Sequence, residues 1–192
     1  MGRNVEFNKE ETVKKAMNVF WEKGYNGTSM QDLVDAMQIN RSSLYNTIGD
    51  KQQLFHECVN DYANSIMCQT LTLIKDETSA LNALKKIIAK NVESTIDCKG
   101  CLGTKSVFEM ANSDSEVKNI LRIGNDSYLE ILTNLVGQAI EAGEIANDEK
   151  PETVADYIFN SFTGWKQSYI LHGDPIKIKK MSEYLIRNIT HK

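Results

Sequence analysis

Apolar positions recur every three or four residues along almost the whole chain, the period of helices with one buried face. Val13, Ala16, Met17, Phe20 and Trp21 form the first such stripe, over about Lys9 to Lys23, and Gly24 stops it. From Thr28 to Phe55 the pattern shortens. Met30, Leu33, Val34 and Met37 mark one helix, capped by Thr28, and Leu44 and Ile48 mark a second of about two turns, capped by Asn40. Gly49 closes that short helix and Asp50 caps a long one over roughly 50–74. Further helices are expected near 79–97, 104–112, 115–142, 152–171 and 174–190. No strand-like alternation runs longer than a few positions, so the fold predicted is all-α with about nine helices.

The second short helix has an unusual outward face. With Leu44 and Ile48 directed inward, Arg41, Ser42, Ser43, Tyr45 and Asn46 are left to solvent at the start of a helix. Hydrogen-bonding groups and a cation on such a helix suit base edges, and its N-terminal dipole favours phosphate. A purely structural helical bundle would also accommodate two short helices with a tight break. Arg41 pairing with Asp35, and Lys51 as an ordinary solvated lysine, are the plain alternatives for those side chains.

Charge changes the picture only slightly. The 192-residue chain carries a formal net charge of -4, with 41% hydrophobic and 25% charged residues. Residues 1–52 balance Arg3, Lys9, Lys14, Lys15, Lys23, Arg41 and Lys51 against Glu6, Glu10, Glu11, Glu22, Asp32, Asp35 and Asp50. Non-specific affinity for DNA should therefore be modest, because counterion release depends on cations that face phosphate. No apolar run approaches the roughly 20 residues that span a bilayer, and the polar start MGRNVEFNKEE is unlike a signal peptide, so no membrane association and a cytoplasmic location are expected.

Over about residues 9–57 the segments AMNVFWEKGYNGTSMQDLVDAM and INRSSLYNTIGDKQQLF resemble the TetR/AcrR family of bacterial transcriptional regulators, and GCLGTKSVFEMA at 100–111 looks like a segment of one branch of it. The resemblance implies a helix-turn-helix DNA-binding domain over 1–55 and a ligand-binding and dimerisation domain over 56–192. It implies a homodimer on a palindromic double-stranded operator. Carried over by position, Thr28 and Ser29 meet backbone phosphate, and Arg41, Ser42 and Ser43 lie at the groove face. Arg41 is the candidate for bidentate readout of guanine, while Tyr45, Asn46 and Lys51 anchor phosphate. Asn46-Thr47-Ile48 departs from the aromatic pair usual in the family, which puts Ile48 where a core Phe is expected.

A regulator of this kind needs a sensor. Aromatic and sulfur-bearing residues at helical spacing in the second domain, Phe108, Met110, Tyr128, Tyr157, Phe162, Trp165 and Tyr169, together with Cys101, are candidate contacts for a small apolar or aromatic effector. Such residues also build ordinary cores. Cys98-Lys99-Gly100-Cys101 is a C-x-x-C that is redox-active, metal-binding or inert; Lys99 and the helix that follows favour a thiolate. A lone C-x-x-C lacks the second pair of a structural zinc site, and His56, His172 and His191 are scattered, so neither a metal nor a cofactor is expected. An enzyme is not expected either: the rival reading is a thiol–disulfide oxidoreductase on Cys98 and Cys101, without the βαβ setting that supports such chemistry. A helical ligand-binding protein that has lost operator recognition is a further alternative. Val154, Ile158, Phe162 and Trp165, with Ile178, Met181, Leu185 and Ile189, form two long stripes expected to pair with their symmetry mates in a four-helix dimer interface.

Overall fold

The computed structural model describes residues 9–97, 100–145 and 149–190, with only the backbone at Asn46 and Thr47. Among the described residues there are nine α-helices: α1 (Lys9–Lys23), α2 (Met30–Met37), α3 (Arg41–Thr47), α4 (Lys51–Ile74), α5 (Ala80–Asp97), α6 (Leu102–Met110), α7 (Ser115–Glu141), α8 (Pro151–His172) and α9 (Pro175–Thr190). No helix among them is long and apolar enough to cross a membrane. The helix expected at 104–112 begins at Leu102, with Cys101 in extended conformation at its N-cap.

Packing divides the chain differently from the expected 55/56 boundary. Of the described residues, those up to Asn64 together with Cys101–Leu121 form one compact unit, and those within 65–100 and 122–192 form the other. Both α4 and α7 therefore contribute to each unit.

The first unit is organised around Phe20, Leu33, Leu44, Leu54 and Phe55, all essentially inaccessible to solvent. Phe20 meets Phe55 edge-on, with ring centroids 4.9 Å apart, and Tyr25 tilts against Phe55 at the same distance. Ile48 is buried as well, so the smaller side chain occupies the core position despite the departure from the family pattern. Removing a side chain the size of Leu44 from such a core costs about 2–5 kcal/mol. From α6 and α7 the same core receives Leu102, Met110, Val117 and Leu121.

The second unit is built from the remainder of α4 and α7 with α5, α8 and α9, and its core joins Leu84, Ile87, Ile88, Leu132, Val136, Ile158 and Ile178. The stripes expected to form a dimer interface belong to this core. Val154, Ile158, Phe162, Trp165, Ile178, Leu185 and Ile189 are all buried within the protomer, and Met181 is partly buried against them. The apolar side chains that α8 and α9 leave exposed are different ones: Tyr157, Ile170, Leu171, Ile176 and Tyr184.

Candidate DNA interface

The outward face of α3 is the product of its two ends and one buried edge. Asn40, in extended conformation, caps it by accepting the Ser43 N–H on Oδ1 at 2.7 Å. Gly49, at φ +103°, ends it, its N–H donating to the Leu44 carbonyl. Leu44 and Ile48 enter the core, which fixes the rotation of the helix about its axis. Arg41, Ser42 and Tyr45 are consequently exposed and Ser43 half-buried. The Asn46 backbone is helical, and its side chain lies outside what is described.

α2 is held against α3 by a turn in which Gln38 adopts the left-handed conformation at φ 57°. The cap of α2 is Ser29, one residue beyond the Thr28 expected from the sequence. Ser29 Oγ accepts the Asp32 N–H, and the Asp32 carboxylate accepts the Ser29 N–H at 2.8 Å, closing a capping box. Thr28 is buried instead, its hydroxyl donating to the Gly24 carbonyl at 2.6 Å, so its side chain does not face outward for phosphate. Ser29 is exposed. Asp32 also pairs with Lys23 at 2.5 Å; the Lys23 and Ser29 hydrogen bonds together hold its carboxyl far below the usual carboxylate range.

Lys51 opens α4 after Asp50, which accepts the Gln53 N–H at 2.9 Å. Its ammonium stands over the Tyr25 ring, 4.3 Å from the centroid, a cation–π contact. Partial burial lowers its pKa, and the nearby Glu109 charge opposes that shift. Arg41 Nη2 donates to Gln31 Oε1 at 3.1 Å, and Gln31 Nε2 donates to Asp35 Oδ1 at 2.7 Å. The direct Arg41–Asp35 pair considered from the sequence is thus replaced by a relay through Gln31. Gln31, Tyr25 and Glu109 carry no motif, and their partners here are set by packing rather than by local sequence.

The eight residues named for an effector fall in both units. Cys101, Phe108 and Met110 belong to the first unit and the other five to the second. Phe108 carries its ring on the surface of α6, 80% exposed, and Tyr157 is 46% exposed on α8. Met110 is core. Phe162 and Trp165 pack on each other, centroids 5.4 Å apart, inside the second unit, and Tyr169 is partly buried against that core. Tyr128 differs from these aromatics in having its hydroxyl buried with a polar partner: it accepts from Asn91 Nδ2 at 3.3 Å, and burial raises its pKa. Thr95, one helical turn beyond Asn91, has a buried hydroxyl without a hydrogen-bond partner among the described residues, as does Ser168. A shallow open groove of about 510 Å³ runs between α8 and α9, lined by Tyr157, Trp165, Ile176, Lys177, Met181 and Tyr184 among others.

Cys101 is half-buried, its Sγ 3.2 Å from the Tyr62 hydroxyl, and Cys98 lies outside the described residues. Among the described residues no group of three or more His, Cys, Asp or Glu is arranged to hold a metal ion.

Comparison with known proteins agrees with this architecture. Residues 13–58 match the family described as bacterial regulatory proteins, tetR family, and residues 79–185 match the Tetracyclin repressor-like C-terminal domain. The chain is 34% identical over 152 residues to the uncharacterized HTH-type transcriptional regulator YezE of Bacillus subtilis, covering 78% of each chain. It is 26% identical over 158 residues to the HTH-type transcriptional repressor DhaR of a Mycobacterium species, covering 81% of this chain and 79% of that one. A TetR-family regulator from Agrobacterium tumefaciens shares the fold with a TM-score of 0.86 at 18% identity, over 96% of this chain and all (100%) of that one. CifR, solved as a cysteine mutant complexed with 26 bp double-strand operator DNA, superposes with a TM-score of 0.83 at 22% identity, over 96% of this chain and 98% of that one. The chain belongs to the TetR family of DNA-binding transcriptional regulators.

Proposed function

We propose that the protein is a ligand-responsive repressor that binds a palindromic operator as a homodimer and is released from it by a small, uncharged effector. The observation that carries the DNA half of this reading is the α3 face, where Arg41, Ser42 and Tyr45 project from a helix anchored by Leu44 and Ile48. Arg41 reads guanine, Ser42 and Ser43 lie at the groove face, and Tyr45, Asn46, Lys51 and the Ser29 hydroxyl meet phosphate. CifR, which shares this fold, was solved with operator DNA, and that supports operator binding by this chain.

A homodimer supplies the second half-site that so small a reading head needs. With the inner stripes of α8 and α9 consumed by the core, the dimer face consists of the exposed Ile170, Leu171, Ile176 and Tyr184. The effector reading centres on Tyr128, Asn91 and Thr95. A buried hydroxyl without a partner is costly, and a bound molecule with a hydroxyl or carbonyl relieves that cost. Among the described residues, the buried polar side chains of the second unit, Thr70, Thr95 and Ser182, include no charge, which favours a neutral ligand. Effector and operator then weaken each other by the same factor, since both act on one conformational equilibrium.

Selection of bound duplexes from a random library by the purified chain tests this reading. Enrichment of a palindrome supports it, and the half-site spacing gives the separation of the two reading heads. Failure to enrich any duplex, with or without candidate effectors, counts against it.

A thiol-responsive version of the same regulator is favoured by one observation, the Cys101 Sγ at the N-terminus of α6 beside the Tyr62 hydroxyl. A helix N-terminus stabilises a thiolate. Addition of that thiolate across the double bond of N-ethylmaleimide would release the enriched duplex from wild type and leave Cys101→Ser bound. Equal release of both excludes this version.

A further inference from the structure

α6 presents two side chains one helical turn apart, Lys105 and Glu109, and both reach the turn between α1 and α2 within the first unit. Lys105 Nζ donates to the carbonyls of Trp21 at 2.5 Å and Glu22 at 3.1 Å. These carbonyls sit in the last turn of α1, where intrahelical donors run out, and a cation there also meets the negative end of the helix dipole. Glu109 Oε2 accepts the Asn26 backbone N–H at 3.1 Å. The approach is close: a methyl group at Gly24 would lie 2.1 Å from Glu109 Oε1, and Gly24 itself has φ +74°. Glycine at that position serves two ends at once, the left-handed turn and the room for the carboxylate.

The segment gripped in this way leads directly to the proposed interface. It runs from Trp21 through Tyr25, whose ring lies under Lys51, to the Ser29 cap of α2. α6 is itself fixed in the same unit by the buried Leu102, Ser106 and Met110. We infer that Lys105 and Glu109 are positioning residues for operator binding, which hold the α1–α2 turn so that Ser29 and Lys51 meet phosphate together. Neither touches DNA, and both act through the backbone they hold. The inference rests on the operator reading given above. It also makes α6 a determinant of operator affinity independent of any base contact. Hydrogen bonds of an ionised group to backbone are stronger than neutral ones and so suffice to fix a short turn.

The test uses the full chain and the duplex that wild type enriches. Affinity is measured at two salt concentrations for Glu109→Ala, Glu109→Gln and Lys105→Met, alongside thermal unfolding and the amide NMR shift of Asn26. Glu109→Ala should weaken the duplex about tenfold, move the Asn26 amide resonance and leave the salt dependence unchanged, because Lys51 still meets phosphate in the complex and the loss is the cost of ordering a turn no longer held. Glu109→Gln keeps an oxygen that accepts from Asn26 and should restore affinity to within about twofold of wild type. Lys105→Met should weaken binding in the same direction, again with an unchanged salt dependence. Wild-type affinity in Glu109→Ala with a shifted Asn26 amide would overturn the inference while leaving the operator reading intact. So would Glu109→Gln failing as badly as Glu109→Ala. A wild-type chain that enriches no duplex would overturn the operator reading and this inference with it.

Discussion

Arg41 reaches Gln31 through a 3.1 Å hydrogen bond, and Gln31 has its amide orientation set by Asp35. With Nε2 committed to the carboxylate, the Gln31 oxygen can only turn towards the guanidinium. The first turn of α2 thereby steers the first residue of α3. Arg41→Ala should relax preference at one base position in each half-site, by about 1–3 kcal/mol of discrimination. Gln31→Ala should blur the same position by less, because the guanidinium keeps its reach and loses only its guide. Sequence selection with each variant checks this, and an unchanged preference in Arg41→Ala would remove that residue from the readout.

Lys51 and Tyr45 are expected to act without regard to base sequence. Lys51→Ala should weaken all duplexes alike and reduce the slope of log affinity against log salt by about 1. Tyr45→Phe keeps the ring and loses the hydroxyl, so it should weaken binding a few-fold with the slope intact. A titration over salt concentration separates the two. A Lys51→Ala slope equal to wild type would place its ammonium on Tyr25 alone.

Acid should loosen the first unit through Asp114. Its side chain is only 3% exposed, and burial by itself would raise its pKa. Hydrogen bonds from His56 at 2.8 Å, from the Val117 amide and from Gln52 outweigh that and bring it down to about 2, from an ordinary 3.8. A carboxyl depressed on folding contributes stability above its unfolded pKa and loses it as pH falls through the folded one. The loss should therefore run from about pH 4 down to about pH 2, on the order of 2 kcal/mol in all. Thermal unfolding of wild type and Asp114→Asn across that range tests it: the gap between them should close as pH falls. A gap that stays constant would show that the ionised carboxylate contributes nothing.

The exposed end of α8 supplies a test of assembly. Leu171, 69% exposed, lies beside Ile170 and shortly before Ile176. Leu171→Glu should shift the protein to a monomer of 21.7 kDa by light scattering while leaving its helicity unchanged. Affinity for the palindrome should then fall roughly hundredfold, since the two half-sites would be bound independently. A variant that stays dimeric would move the interface elsewhere.

Much of this architecture was legible because helix signals are local. Gly24, Asn40, Gly49 and Asp50 end or begin helices through groups within five residues of themselves, and each does so in the structure. The cap of α2 falls at Ser29, one residue beyond the expected Thr28, because both carry a hydroxyl and a hydroxyl alone does not separate them. The Ser29–Asp32 spacing held the answer, since a capping box needs an acceptor at the third helical position. Long-range partners were not legible. Phe162 and Trp165 have the same apolar pattern whether they face a ligand, a partner subunit or their own core, and only packing places them in the core. Lys105 and Glu109 read as an ordinary pair on a helix face, for their partners lie more than 80 residues away in sequence.

The capping box of α2 also bears on how the protein finds its site. Asp32 already occupies the Ser29 amide, and if Ser29 meets phosphate as proposed, a carboxylate stands beside that contact. On the proposed operator reading, a head so guarded should gain little from duplex of the wrong sequence, so its residence on random DNA should be short and its search should proceed through many brief encounters rather than long slides.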